Sequence, residues 1–288
     1  MRIYSYLVLI VVFASCSHKT PVGYWKLLAI EEMNTVRKHL SKIKGGRLAA
    51  LCDGPKHSMV ISDVVGDDPA YIASGMTVQD NTTSRQALDI LNQYGWHPIR
   101  SVESHLLQQG ASPKVEGQYD IIASGKTAID AAASYANALG WHTRVLSYTE
   151  SGEAQEVARA HAKVAREMKA KGERILLFSG GELTVTLGDS TGHGGPNQEY
   201  MLALAIALQG ENGIYGFSAD TDGVDGSKDV AGAFIHPETL VRAQAVNQDP
   251  VQCLNNHDSF AFFEALGQHV CVPPTGTNVN DFRVIAIA

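Results

Sequence analysis

Residues 119–147 read YDIIASGKTAIDAAASYANALGWHTRVLS, and the change of period within them decides the fold class. Tyr119–Ala123 is a short β-prone run, the mark of a strand. From Lys126 to Leu139 an Ala-rich helical pattern takes over, and Gly140 stops it. Thr143–Ser147 then reads as a second strand. A strand, a helix and a strand in succession predict an α/β protein with a mainly parallel sheet, because a parallel return needs a helical crossover.

The same alternation extends outward. Upstream, a helix is predicted over Glu31–Lys44, closed by Gly45–Gly46; a strand covers Ser58–Ser62 and a helix Thr83–Tyr94. Downstream, Gly152–Ala170 has helical spacing. A second, smaller α/β unit begins near Lys171, with strands at Arg174–Phe178, Gly213–Ser218 and Val284–Ala288, a β-prone Thr184–Leu187 and a helix over Gln198–Gln209. The boundary falls between Glu150 and Lys171, which gives domains 24–160 and 161–288 after a distinct leader, 1–23.

Composition narrows the function. With 44% hydrophobic and 18% charged residues the chain has the balance of a globular protein, and a net charge of -7 argues against a general nucleic-acid binder. Cys16, Cys52, Cys253 and Cys271 form no C-x-x-C pair, so a structural zinc is not expected. The leader carries Arg2, an apolar run from Ile3 to Ala14, and Cys16. It reads either as an export signal with a lipoprotein-type Cys16 or as an incidental apolar start such as a buried first strand.

Four polar loops follow predicted strands, where open α/β sheets bind ligands. The first combines Ser179, Gly180, Gly181 and Glu182 with Gly194, Gly195, Pro196, Asn197, Gln198 and Glu199. Paired glycines and a helix start suit a phosphate cradle, or equally two tight turns. The second, Ala219–Gly226, offers Asp222 and Asp225 as metal ligands, or an array of Asx turns. In the third, Thr275, Gly276, Thr277 and Asn278 suit hydrogen bonding to phosphate or to substrate hydroxyls. The fourth sets Asp63 at a strand end, as a base or metal carboxylate. A basic cluster of Arg37, Lys38, Lys44 and Arg47 is the densest positive charge in the chain, either an anion site or a solvated helix face.

Asn34–Ser41, Lys44–Ala49, Ser62–Pro69, Ser179–Glu182, Gly194–Glu199, Thr221–Gly226 and Thr275–Asp281 occur in an order that resembles the glycerate 2-kinase family, whose C-terminal module is called MOFRL. The resemblance implies a Rossmann-like domain followed by the smaller MOFRL domain, with a site between them. It implies ATP-dependent phosphorylation of D-glycerate to 2-phosphoglycerate, with Mg²⁺. Arg37, Lys44 and Asp63 then take catalytic roles, Lys38, Arg47 and the glycine and threonine loops bind substrate and phosphate, and Asp222 and Asp225 bind metal.

Two departures accompany it. The family's N-terminal Gly-Lys-Ala segment and Ser-Gly-Gly-Gly-Ser loop are missing; Lys126, in Ser124–Thr127, is not their counterpart. Pro196 stands where some members carry Arg. A sheet lacking its front strands is expected to expose an edge and to aggregate or self-associate. Use of ATP implies a cytoplasmic protein, against tethering through Cys16. The alternatives are a hydroxypyruvate reductase, for which no G-x-G-x-x-G is present, and a non-catalytic remnant.

Overall fold

A computed structural model describes residues 7–11, 30–226 and 228–288. It divides into two compact units, up to Ile122 and from Ala123. Apart from residues 7–11, the leader lies outside the described residues, Arg2 and Cys16 included. No helix among the described residues is long and apolar enough to cross a membrane.

In the first unit, Leu7–Val11 (β1) pairs in parallel with Lys56–Ile61 (β2), which neighbours Gln118–Ala123 (β3) in a three-stranded sheet. Its helices are Ile30–Leu40 (α1), the short Arg47–Ala50 (α2), Ser84–Gln93 (α3) and Arg100–Gln108 (α4). Val36, Ala87, Leu88, Leu91 and Leu106 pack together as the apolar core of α1, α3 and α4. A capping box in which Thr83 and Gln86 satisfy each other's backbone N–H starts α3. α1 ends four residues before the expected Lys44. Ser41 Oγ accepts from the N–H groups of Ile43 and Lys44, which offers the backbone a turn in place of another helical round.

The second unit contains Gly125–Ala138 (α5), His142–Glu153 (β4), Ala154–Ala170 (α6), Ile175–Thr184 (β5), Pro196–Leu208 (α7), Ile214–Asp220 (β6), Gly232–Ile235 (β7), Thr239–Ala245 (α8), Pro250–Asn255 (α9), Ser259–Leu266 (α10), His269–Val270 (β8) and Asp281–Ile287 (β9). Its sheet runs β4-β5-β9-β6-β7-β8. β4 and β5 are parallel, joined by the α6 crossover, whereas β3 and β4, the two strands of the 119–147 pattern, belong to different sheets. The other pairs are antiparallel, since β9 inserts between β5 and β6 and opposes both and β7 opposes β6 and β8, so the mainly parallel sheet expected is not found in this unit. α7 has apolar residues all round and is buried accordingly, with Met201, Leu202, Leu204 and Leu208 in the main core.

The expected boundary near 160 falls inside α6. Ala158, Ala162 and Ala165 of that helix share the α7 core, so α6 belongs wholly to the second unit. The Ser179–Glu182 segment, expected as a loop, is the second half of β5. It stays in the sheet because Gly181, at φ 95, pairs with Glu150 so closely that a Cβ would lie 2.2 Å from the Glu150 carbonyl oxygen.

Candidate functional site

The chemistry-bearing loops of the second unit converge on the start of α7. Pro196 opens the helix without an N–H to satisfy, and the next two backbone N–H groups, of Asn197 and Gln198, reach the carboxylate of Asp225 at 3.0 and 2.9 Å. The side chains of Asn197 and Gln198 add donors at 3.2 and 2.9 Å. Four donors therefore surround a carboxylate that is 1% exposed. Burial pushes Asp225 up to about 6 against the pull of those donors.

This arrangement revises two expectations. The positive end of α7, expected to face a phosphate, is already met by the protein's own carboxylate. Asp225, expected as a metal ligand, has its acceptor sites taken by the helix. The Gly194–Gly195 pair serves that contact directly, since a Cβ at Gly195 would stand 2.3 Å from Asp225 Oδ1.

Asn197 extends the network inward. Its amide donates to Asp281 Oδ1 at 2.7 Å, and its carbonyl accepts from Ser218 Oγ. Arg283, 1% exposed, donates to Asp281 Oδ2 at 2.7 Å, to Gly180 O at 2.5 Å and to Ser179 Oγ at 3.3 Å. Its guanidinium lies 5.7 Å from the Tyr200 ring centre, and Tyr200 hydroxyl pairs with His161 Nδ1 at 2.8 Å. Burial, with Arg283 adding, pushes His161 down to about 4, while burial raises Tyr200, so both stay neutral.

The Asp and Thr loops lock onto each other. Thr221 Oγ donates to Asn280 O at 2.8 Å and accepts from Val279 N–H at 2.9 Å. Thr275 Oγ donates to Thr221 O at 2.7 Å, and Asn278 Oδ1 accepts from Asn280 N–H at 2.7 Å. Thr277 Oγ is buried with no partner among the described residues, and Gly276 is exposed. Asp222 Oδ1 accepts from Val224 N–H at 2.7 Å, an Asx turn. Burial raises Asp220, with Asp222 and Asp281 adding repulsion. No three His, Cys, Asp or Glu side chains among the described residues gather as a metal site.

A cavity of about 200 Å³ opens beside α7, lined by Gly194, Gly195, Glu199, Gly226, His257 and an apolar wall. Glu199 is buried and Glu182 exposed. Lys126, at the start of α5, bonds Asp130 and lies 5.0 Å from the Tyr148 ring centre.

In the first unit the basic cluster splits. Lys38 is buried against Asp80 at 3.3 Å, and His39 lies 3.4 Å from the same carboxylate. Arg47 donates to the carbonyls of Lys38 and Lys44 at 3.0 and 2.9 Å and to Gln109 Oε1 at 2.8 Å. Both residues, expected to bind anions, are committed to holding the loop after α1. Arg37 is exposed. Lys44 Nζ lies 3.3 Å from Ala73 O and 3.4 Å from Ser74 Oγ. Ala73 and Ser74 have φ of 55 and 56, a left-handed pair that costs about 1–2 kcal/mol per residue. Asp63 sits just past β2, where burial raises its carboxyl.

Arg283, Ser218, His161 and His257 were not singled out by the sequence, and Asp281 entered only as the end of the Thr275–Asp281 motif. Arg283 left a signal: it alternates with Asp281, Ile285 and Ile287 on one face of an apolar strand, so the period of two places its charge inward.

A model of the MOFRL family matches residues 175–281, and one described as a domain of unknown function (DUF4147) matches residues 27–108. Two proteins of Agrobacterium vitis named putative hydroxypyruvate reductase are each 44% identical over 267 residues, covering 90% of this chain and 61% and 69% of theirs. The D-glycerate 2-kinase of Thermotoga maritima is 39% identical over 261 residues, which are 89% of this chain and 62% of that protein. The crystal structure of a Thermotoga maritima glycerate kinase superposes with a TM-score of 0.84 at 37% identity, covering 90% of this chain and 64% of that one. The chain thus spans less than two thirds of the length of most of these relatives.

Proposed function

Since the chain belongs to the MOFRL-containing glycerate 2-kinase family, we propose that it serves phosphoryl transfer from ATP to the 2-hydroxyl of D-glycerate. Its identity to a D-glycerate 2-kinase over most of its length is the observation that carries this reading. Phosphoryl transfer asks chiefly for positioning and charge neutralisation. Arg37, exposed, and Lys44, half-buried on the strained Ala73–Ser74 turn, supply positive charge for phosphate or carboxylate. Asp63 supplies a carboxylate that binds metal or accepts a proton. Gly194, Gly195 and Glu199 line the cavity at α7, and Thr277 and Asn278, on the loop before β9, offer a hydroxyl and an amide.

The residues fit ATP with Mg²⁺ only in part. Asp225 is committed to α7, so Asp222 is the carboxylate of that pair left to meet a metal carried on nucleotide phosphates. When bound, the metal neutralises phosphate charge. Use of ATP supports a cytoplasmic location for this reading.

Coupled assays test the reading. The full chain is expected to convert D-glycerate with ATP and to leave hydroxypyruvate with NADH unchanged. Arg37→Ala is expected to lower glycerate-dependent turnover at least tenfold, a loss of about 1.4 kcal/mol in transition-state binding. Turnover of hydroxypyruvate alone would replace the kinase with a reductase.

A further inference from the structure

His257 and Glu199 meet on the wall of the α7 cavity, with Nδ1 2.8 Å from Oε1. Glu199 is 2% exposed, and the same oxygen accepts from Gln155 Nε2 at 2.8 Å. An ionised carboxylate can only accept, so Nδ1 carries the hydrogen, and whenever the ring is neutral its lone pair lies on Nε2. Gln155, in the first turn of α6, anchors the carboxylate and hence the tautomer. His257 holds a φ of 50 just past α9, a left-handed conformation that costs a non-glycine residue about 1 kcal/mol or more. Asp189 and Asp258 line a second, open cavity together with His257, and Glu153 acts on that ring from the end of β4. Glu153, at the end of β4, is held below the usual carboxylate range mainly by the Thr186 hydroxyl, and in smaller part by its Thr184 bond and by His257. Asp258, next in the chain, accepts from His193 N–H at 3.2 Å. Val185, Leu187 and Pro196 give the cavity an apolar wall, and its 200 Å³ has room for a three-carbon hydroxy acid.

We propose that Glu199 and His257 form a proton-transfer dyad that takes the hydroxyl proton of a small hydroxy acid held in this cavity. That the acid is glycerate rests on the kinase reading above. In the step, the hydroxyl O–H bond breaks toward His257 Nε2. The oxygen pair so freed forms the new bond to the terminal phosphorus of the nucleoside triphosphate. The bond from that phosphorus to its bridging oxygen breaks, and the pair leaves with the diphosphate. Glu199 stabilises the imidazolium until it returns the proton to water.

Two readouts on the full chain test the dyad. In the first, D-glycerate is added to protein with ¹⁵N-labelled histidine, and the His257 ring nitrogens are followed by NMR. The Nε2 resonance is expected to move while Nδ1 stays protonated, and Glu199→Gln to weaken that tautomer preference. In the second, glycerate-dependent ATP turnover is measured against pH. His257→Gln is expected to lower it about a hundredfold and to flatten its acidic limb. Should that variant fail to fold, Glu199→Gln carries the same comparison. A moving Nε2 resonance without wild-type turnover removes the kinase reading and leaves the hydroxy-acid site. Wild-type turnover that both variants retain with an unchanged pH profile removes the dyad and leaves the kinase. An Nε2 resonance untouched by saturating glycerate overturns the dyad, whatever the turnover.

Discussion

Asp225 pairs its carboxylate with two backbone N–H groups and two side-chain amides, and its replacement by Asn would turn one acceptor into a donor facing donors. Loss of the cap and one unsatisfied buried group predict that Asp225→Asn destabilises the chain by about 2 kcal/mol or more at neutral pH, read by urea denaturation. The pH dependence has a definite sign. The native state keeps the Asp225 proton up to about 6, whereas the unfolded chain releases it near the ordinary carboxylate value of about 4. Unfolding therefore releases a proton between these values, and the stability contributed by Asp225 falls as pH rises through that window. Wild type should lose roughly 2 kcal/mol relative to Asp225→Asn from pH 4 to pH 6. At this scale the sequence was legible in part. The D-x-D-G-x-D spacing marked Asp225 as special, but a carboxylate that caps a helix 28 residues earlier in the chain looks the same in sequence as one that binds a metal.

At the scale of elements, the approach of the Gly194–Gly195 turn to the Asp225 loop fixes where α7 begins. Gly195→Ala places a methyl group 2.3–2.4 Å from Asp225 atoms, the backbone carbonyl carbon among them, so the whole loop must move. The expected result is a loss of about 1–3 kcal/mol and faster amide exchange in the first turn of α7, with the exchange of α5 unchanged. Periodicity revealed α5 and α7 well, since both are long helices between strong stops. It missed the continuation of β5 through Ser179–Glu182, because two adjacent glycines signal a turn unless a neighbouring strand demands close approach. It also carried α1 past Leu40, because the Ser41 turn competes with the helix through a side chain that periodicity does not weigh.

Across the whole molecule, the outward face of β6 and β7 carries Tyr215, Phe217 and Phe234, with exposures of 45%, 36% and 36%. Phe217 and Phe234 are direct cross-strand partners, so their rings form one patch. The association expected of an exposed sheet edge thus has an exposed sheet face to act through. Phe217→Thr with Phe234→Thr should keep the strands, since Thr suits a β-strand, and lower the scattering of concentrated samples. Light scattering that stays at the wild-type level would place the association elsewhere. The α/β class was readable in sequence because each helix crossover carries its own period. The unit boundary was not, because α6 looks the same whichever neighbour buries its alanines.

The position of β9 has a further consequence, for the order in which the second unit is made. β9 is the last of the six strands in chain order, yet it lies between β5 and β6 and carries Asp281 and Arg283 into their shared core. During synthesis, β5, α7 and β6 all emerge while the strand that joins them is still absent. The Ser179, Gly180 and Asn197 groups that Asp281 and Arg283 later satisfy must wait in water or on transient partners. Closure by pairings so distant in sequence is slow, and it leaves two unpaired strand edges in the growing chain. Until its final strand arrives, the nascent second unit is thus open to wrong pairing at those two edges.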